Sequence, residues 1–221
     1  KFSSKKFFLK EKLDKNKKTS YSNSYLYKNY FKTVYLEGYF ESENYFKEYR
    51  DDLINEFSLK LSPQDNDNIF KKIIDKFNVV SIAFRRNRFS EFPDDRNNIL
   101  KVKKTEDFEK RSIDYIYRGI DYFKTKIENP KFLVWSDNFD NLNQFFDPEN
   151  FIFVKNNLEN KVFLDFYLMC QCKYFIVGST TFHWWPAWLC NSKKKIILCP
   201  KDDELNLSSN LNFWPESWIR I

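Results

Sequence analysis

The run VVSIAF at Val79–Phe84 is followed at once by two arginines, and it is the first of five short apolar runs in this chain of 221 residues. Four similar runs come later in the chain: FLVW at 132–135, FIFV at 151–154, FIV at 175–177 and IIL at 196–198. Runs this short and this rich in aromatic and β-branched residues predict strands that are buried on both faces.

Three segments between these runs have apolar residues three or four positions apart, which is the spacing of an α-helix. They are residues 105–127, 162–172 and 182–189. Strands that alternate with helices predict an α/β fold, in which helices cover both faces of one parallel sheet. Because ligands bind such sheets at the carboxyl ends of the strands, we expect functional residues directly after each run.

The residues before Val79 have a different pattern. Residues 1–30 are polar and rich in lysine, serine, tyrosine and asparagine, whereas residues 41–59 have helical spacing. Pro63 is expected to mark the end of that helical segment. The change of pattern near Val79 divides the chain into two predicted domains, residues 1–77 and residues 78–221.

Composition and charge argue against two classes of protein. Hydrophobic residues make up 42 % of the chain, which is enough for a substantial core, and the net charge is only +6. This mild excess of positive charge, without a nucleic-acid-binding motif, argues against a nucleic-acid binder. The chain contains no run of about 18 apolar residues, so no membrane-spanning segment is predicted.

The cysteines and the start of the chain bear on its environment. Cys170, Cys172, Cys190 and Cys199 lack the paired spacing of a structural zinc site, and the chain has a single histidine. We therefore expect no metal site, reduced thiols and a reducing compartment. The chain begins without an initiator Met or a signal-peptide pattern, so we expect a piece of a longer protein, cytoplasmic or on the cytosolic face of a membrane.

The residues after the first two runs are candidates for binding an anion. Arg85 and Arg86 follow the first run, and Ser136 and Asp137 follow the second. Guanidinium groups at a strand end suit a diphosphate, because each donates two parallel hydrogen bonds to phosphate oxygens. The same two arginines are equally typical of a strand that leaves the core and meets solvent.

The start of the segment at 182–189 has a second group of candidates. The residues Ser179, Thr180 and Thr181 follow the fourth run and open the helix. Hydroxyls and free backbone N–H groups at a helix start bind anions, and they also form ordinary helix caps; the two roles are compatible. His183 either faces phosphate or is a structural imidazole, and the three tryptophans at 184–188 predict a packed core plug.

Asp165 is a third candidate. It lies near the start of the segment at 162–172. There it either supports the helix dipole or accepts hydrogen bonds from a nucleobase or a ribose.

Several of these segments together resemble the α-1,2-fucosyltransferase family. The stretch DFYLMCQCKYFIV at 165–177, then STTFHWWPAWL at 179–189, is similar to the family's D-x-x-L-M-S-x-C-K-H followed by N-S-T-F-S-W-W-G-A-W-L. FLVWSD at 132–137 resembles F-x-x-F-S-D-D, and YLEGYFESENYF at 35–46 resembles L-x-G-Y-x-Q-S-E-x-Y-F. The ending FWPESW at 213–218 resembles the family's P-x-x-W.

The resemblance implies a two-domain transferase fold of the GT-B type. Residues 78–221 would form the Rossmann-like C-terminal donor-binding domain, and residues 1–77 the remainder of the N-terminal acceptor-side domain. It implies an inverting, metal-independent transfer from a nucleotide sugar, GDP-fucose in the family, to a hydroxyl of a glycan acceptor, with no cofactor. Arg85 would be the catalytic residue that neutralises the leaving diphosphate. The predicted donor-binding residues are Arg85, Arg86, Ser136, Asp137, Asp165, Ser179, Thr180, Thr181, Phe182 and His183.

The chain departs from the family at positions that bear on the donor. In the family's H-x-R-R-G-D-Y loop, Ala83 stands in place of the histidine and Arg88 in place of the acidic residue. In the later motif, His183 replaces serine and Pro186 replaces glycine. The family's G-G-L-G-N-Q motif is absent. We therefore expect a weaker preference for guanine than the family implies, and the sugar is either fucose or a related one.

Two hypotheses follow from the resemblance and these departures. The first is an active glycosyltransferase. The second is a catalytically degenerate module of a larger protein that still binds a sugar nucleotide or a glycan.

Overall fold

A computed structural model describes residues 7–25, 33–58, 60, 62, 65, 67–155, 162–178, 180–201, 205, 208 and 210–221. The chain divides into two compact units. The smaller unit comprises Lys1–Asp52 and Ser208–Ser217, and the larger comprises Leu53–Leu207 and Trp218–Ile221. The predicted division at residue 77 separates an acceptor-side from a donor-binding domain, and that functional division stays a prediction.

The smaller unit is built on a pair of parallel strands, β1 (Phe7–Lys10) and β2 (Val34–Glu37). The chain then turns at Gly38, whose φ of +152° is a conformation that side chains with a Cβ rarely adopt. A Cβ on Gly38 would lie 2.4 Å from the Cβ of Glu11. The buried Glu11 carboxylate accepts hydrogen bonds from the backbone N–H groups of Tyr39 and Phe40, so it closes this turn.

The predicted helix at 41–59 is three shorter elements. Two 3₁₀ turns, Glu43–Tyr45 and Lys47–Tyr49, precede the helix α1 at Arg50–Glu56. The Ser42 hydroxyl accepts from the backbone N–H of Asn44 and begins the first turn. Pro63, which was expected to mark the end of this segment, lies outside the described residues.

The larger unit contains one parallel sheet of six strands, in the order β5-β4-β3-β6-β7-β8. This confirms the predicted α/β class and all five predicted strands. The sixth strand is only two residues long and was not predicted. The strands are β3 (Val79–Phe84), β4 (Lys131–Ser136), β5 (Phe151–Phe153), β6 (Tyr174–Ile176), β7 (Ile196–Cys199) and β8 (Ile219–Arg220).

Three helices of the larger unit lie at the three predicted helical segments. The longest begins earlier than predicted, because the Asn98 side chain accepts hydrogen bonds from the backbone N–H groups of Leu100 and Lys101 and caps it. None of the described helices is long and apolar enough to cross a membrane. The helices are α2 (Ile69–Lys76), α3 (Pro93–Arg96), α4 (Ile99–Lys126), α5 (Val162–Gln171) and α6 (Thr181–Leu189).

The two faces of the sheet are covered by different helices. On one face, Val80, Ile82 and Phe84 of β3 share a buried core with α4. Gly119 of α4 permits this packing, because a Cβ there would lie 2.8 Å from the Cδ1 of Ile176. After β5 the chain returns across the sheet to the other side of β3. Because crossovers between parallel strands are right-handed, this change of direction puts α5 and α6 on the opposite face.

The strand order has one reversal, between β3 and β6. From β3 the chain builds outward through β4 to β5, and it then returns to place β6 on the other side of β3. The connections therefore leave β3 and β6 in opposite directions and open a crevice at the carboxyl ends of these strands, where sheets of this kind bind ligands.

Candidate functional site

A cavity of about 280 Å³ lies at the carboxyl ends of the central strands. It brings together most of the predicted site residues from four separate segments of sequence. Its wall consists of Arg85, Trp135, Ser136, Asp137, Val154, Val162, Asp165, Met169, Thr180, Phe182 and His183. Larger cavities exist elsewhere in the larger unit, but this one lies where the sheet topology predicts a ligand.

Arg85 is the cationic side chain in the wall of the cavity, which also contains the carboxylates of Asp137 and Asp165. Its NH2 atom lies 2.6 Å from a carboxylate oxygen of Glu91, and its Nε lies 3.1 Å from a carboxylate oxygen of Asp137. The Arg85 side chain is 30 % exposed, so it is held by two carboxylates and still reachable from solvent. A guanidinium held in this way is oriented in advance for an anionic ligand.

Asp137 holds the loop that carries Arg85. One of its carboxylate oxygens accepts from the backbone N–H of Arg86 at 2.8 Å, and the other accepts from that of Asn87 at 3.3 Å. The neighbouring Ser136 hydroxyl donates to the backbone oxygen of Asn138 at 2.8 Å. Both side chains line the cavity, and their observed hydrogen bonds shape the loops around it. Direct contacts to a donor stay a prediction.

Arg86 lies outside the wall of the cavity. Its Nε is 2.5 Å from a carboxylate oxygen of Glu109 on α4, and its guanidinium lies over the ring of Phe145 at 5.3 Å. It also donates to the backbone oxygen of Asp140. These contacts give Arg86 a packing role on the α4 face of the sheet, and a contact with a bound anion stays a prediction.

Thr180 and His183 form the polar start of α6. The Thr180 hydroxyl oxygen caps the helix by accepting from the backbone N–H of His183, and it lies 2.9 Å from His183 Nδ1. Burial, and then the nearby charge of Arg85, lower the pKa of His183 to about 3. His183 is therefore a neutral imidazole at pH 7 and adds no charge to the cavity.

The pKa of His183 predicts how stability depends on pH. The unfolded chain takes up a proton on His183 near pH 6.5, whereas the folded chain does not until about pH 3. Stability is therefore complete above pH 6.5 and declines as the pH falls towards 3. When the pH falls from 7 to 5, protonation of His183 in the unfolded chain should lower the free energy of unfolding by about 1–2 kcal/mol.

The variant His183→Gln isolates this effect, because the chain has no other histidine. Urea unfolding at pH 7 and pH 5 should show a smaller loss of stability in the variant than in the wild type. An equal loss in both proteins would contradict a neutral His183.

The other predicted residues of α6 have separate places. Phe182 lines the cavity, whereas Thr181 is exposed and lies outside its wall. Ser179 lies outside the described residues. The tryptophans form the predicted core plug: Trp184 stacks on Trp188 with ring centroids 5.9 Å apart and packs against Trp218 at 5.4 Å.

Asp165 lies in the first turn of α5, is buried and lines the cavity. Trp135 was missed by the sequence analysis because it is the last apolar residue of a strand and looks like core. It also lines the cavity, directly beside Ala83 in the register of β3 and β4. Ala83 is the position where the family carries histidine, so a neighbouring indole forms the wall there.

A metal site was not predicted, and the described residues contain no group of three or more His, Cys, Asp or Glu side chains that could hold a metal ion. The four cysteines are free thiols. Burial raises the pKa of Cys170 and of Cys199 to about 12, so neither is a reactive thiolate near neutral pH.

Comparisons with known proteins agree with the resemblance seen in the sequence. Alpha-1,2-colitosyltransferase of Escherichia coli is 28 % identical over 203 residues, which cover 86 % of this chain and 63 % of that protein. The E. coli O-antigen biosynthesis glycosyltransferase WbnK is 25 % identical over 193 residues, 84 % of this chain and 60 % of that protein. The chain thus spans less than two thirds of either relative. No solved structure matches it significantly.

The match to a family profile covers more of the chain than the match to either single relative. The sequence profile of glycosyl transferase family 11 matches residues 3–221, which is nearly the whole chain. The predicted resemblance to α-1,2-fucosyltransferases is confirmed by this match, and the chain belongs to glycosyl transferase family 11.

Proposed function

We propose that this chain carries the nucleotide-sugar-binding half of a glycosyltransferase. The enzyme would transfer fucose or a related sugar from a nucleoside diphosphate to a hydroxyl of a glycan. The name of one relative points to colitose as a related sugar, and the name of the other points to an O-antigen glycan as the acceptor. The two-domain GT-B architecture, with a donor-binding domain at 78–221 and an acceptor-side domain within 1–77, belongs to this proposal.

The observation that carries the proposal is the convergence of two anion-binding features on one cavity. Arg85 reaches it from the end of β3, and Thr180 reaches it from the start of α6. A guanidinium donates two parallel hydrogen bonds to phosphate, and a helix start has free N–H groups and a positive dipole. Two features of this kind in the wall of one cavity match the two phosphates of a sugar nucleotide.

The proposed chemistry is a single displacement that inverts the anomeric carbon. The acceptor oxygen attacks that carbon while the bond to the diphosphate breaks, and negative charge grows on the leaving phosphate. Arg85 and the start of α6 would stabilise this charge, because fixed donors aimed at a developing charge lower the barrier. In this proposal the protein's own cationic groups neutralise the leaving group, and no cofactor takes part.

The nucleobase must be recognised by residues other than those that bind the phosphates. Arg85 and Thr180 recognise phosphate and carry no information about the base. Ala83 offers only a methyl group where the family has histidine, so one hydrogen bond to the base is lost. Asp165 remains as an acceptor for base N–H groups, and we propose a preference for guanine that is present but weak.

Calorimetric titration of the chain with GDP, UDP and ADP tests the proposal. We expect GDP to bind more tightly than UDP and ADP, by less than about tenfold. Transfer is tested by release of the nucleoside diphosphate from GDP-fucose in the presence of lactose. Binding without any release would support the alternative, a degenerate sugar-nucleotide-binding module. The proposal fails if none of the three nucleotides binds.

A further inference from the structure

Glu91 is a carboxylate at the edge of the proposed donor cavity whose role the proposed function leaves open. It follows Arg88 by three positions in the loop after β3. One of its carboxylate oxygens lies 2.6 Å from Arg85 NH2 and 3.6 Å from Arg88 NH1. The Glu91 side chain is 34 % exposed, so a molecule in solution can reach it.

Glu91 also lines a second cavity, of about 370 Å³. This acceptor groove, as we name it, is bounded by the loop after β3 and by the start of α4. Its lining residues are Arg88, Phe89, Glu91, Phe92, Asp95, Lys101 and Lys104. Arg85 lines the donor cavity and Glu91 lines the acceptor groove, so the Arg85–Glu91 ion pair connects the two cavities.

The lining of the acceptor groove has the chemistry that a sugar needs. Phe92 is 69 % exposed, and an exposed aromatic ring is a surface on which the apolar face of a sugar ring stacks. Charged side chains around it, among them Lys101 and Lys104, can hydrogen-bond to hydroxyl groups. A ring with polar groups around it is typical of a site that orients a small polar ligand.

Two carboxylates contact Arg85, and their other contacts suit them to different roles. Glu91 suits the role of a base. Asp137 accepts two backbone N–H bonds that hold the loop in place, so a proton on it would break that loop. The ion pairs of Glu91 are with the side chains of Arg85 and Arg88. These are the two side chains that an incoming diphosphate would attract.

We propose that Glu91 is the base that takes the proton from the acceptor hydroxyl, that the reacting sugar of the acceptor lies in the groove beside it, and that binding of the donor frees Glu91 for this task. The inference rests on the proposed function. It gives a candidate for the base in the loop where Arg88 replaces the family's acidic residue.

The steps balance without another reactant. The diphosphate of the donor competes with Glu91 for Arg85, and this competition frees the Glu91 carboxylate from its ion pair. The acceptor O–H gives its proton to Glu91, and its oxygen forms a bond to the anomeric carbon. The bond from that carbon to the diphosphate oxygen breaks, and its electron pair leaves on the nucleoside diphosphate beside Arg85.

The variant Glu91→Gln tests this role, with Glu106→Gln as the matched control on an exposed turn of α4. Two quantities are measured on the whole chain: the affinity for GDP by calorimetry, and the kcat for GDP release from GDP-fucose, with water alone and with lactose. A base that is removed should cost kcat about 100-fold or more. GDP affinity should stay equal or rise a few-fold, because the competitor for Arg85 has lost its charge.

The outcomes separate this inference from the proposed function. A low kcat with unimpaired GDP binding in Glu91→Gln, and wild-type values in Glu106→Gln, support the inference. If Glu91→Gln keeps its kcat, the base is another group and the inference is overturned while the proposed function stands. If kcat and GDP affinity fall together, Glu91 only positions Arg85 and is not the base. A wild-type chain that binds GDP and releases none from GDP-fucose overturns the inference and supports the degenerate sugar-nucleotide-binding module.

Discussion

Replacing Arg85 by alanine is expected to weaken the binding of GDP by about 100-fold or more, with little change in the free energy of unfolding. Hydrogen bonds to charged groups are worth about 1.5–3 kcal/mol each, and a guanidinium makes two of them to a phosphate. The Arg85 side chain is 30 % exposed, and its ion pairs with Glu91 and Asp137 contribute little to stability at that exposure.

Two further variants are compared with Arg85→Ala. Arg85→Lys keeps the charge but loses the paired geometry, so its affinity should lie between those of the wild type and Arg85→Ala. Arg118→Ala removes the same charge from an exposed position of α4 and should bind GDP like the wild type. Calorimetric titration of each protein gives the affinities. If Arg85→Ala binds GDP as tightly as the wild type, Arg85 is a structural residue and the proposed cavity is not the phosphate site.

The neighbouring substitution, Arg86→Ala, is expected to have the opposite result and to destabilise the fold by about 2–4 kcal/mol. Arg86 is 13 % exposed and its partner Glu109 is 17 % exposed, so the ion pair is largely buried. Removing one member leaves the Glu109 carboxylate without its charge partner in a poorly solvated position. The variant also loses the contact of the guanidinium with the ring of Phe145.

Urea unfolding measures this loss, and two further variants show its cause. Lys71→Ala breaks the exposed ion pair to Asp75 and should cost less than about 1 kcal/mol. The double variant Arg86→Met with Glu109→Leu replaces both charges by apolar side chains and should recover much of the stability lost in Arg86→Ala. An Arg86→Ala protein of wild-type stability that no longer binds GDP would instead make Arg86 a direct ligand of the phosphate.

These two predictions differ although the residues are adjacent, and the alternation of an extended chain explains why. Successive side chains of a strand point to opposite faces. Phe84 and Arg86 therefore point to the α4 face, where Phe84 is in the core and Arg86 meets Glu109. Arg85 instead lies in the wall of the cavity at the end of the strand, where its guanidinium pairs with Glu91 and Asp137. Both arginines were predicted to bind the donor, because nothing in the pair itself says which of them meets a ligand.

The cavity contains residues that sequence patterns alone could not have assigned. Trp135 completes an apolar run, and an apolar residue at a strand end is normally core. Glu91 lies in a loop without a repeating pattern, and its closeness to Arg85 depends on how that loop folds back. A carboxylate a few positions after a cluster of arginines is the one signal that could have drawn attention to Glu91.

The sequence by itself determined the class of the fold, the place of each central strand and helix, and the family. Buried strands need short apolar runs and amphipathic helices need apolar residues at helical spacing, so these elements are local properties of the chain. Tertiary structure alone decided that Arg85 faces the cavity and Arg86 the core, that Trp135 lies beside Ala83, and that Glu91 pairs with Arg85. These relations join residues on different strands, helices and loops. They depend on the order of strands and the direction of the crossovers, which bring distant parts of the chain to one edge of the sheet.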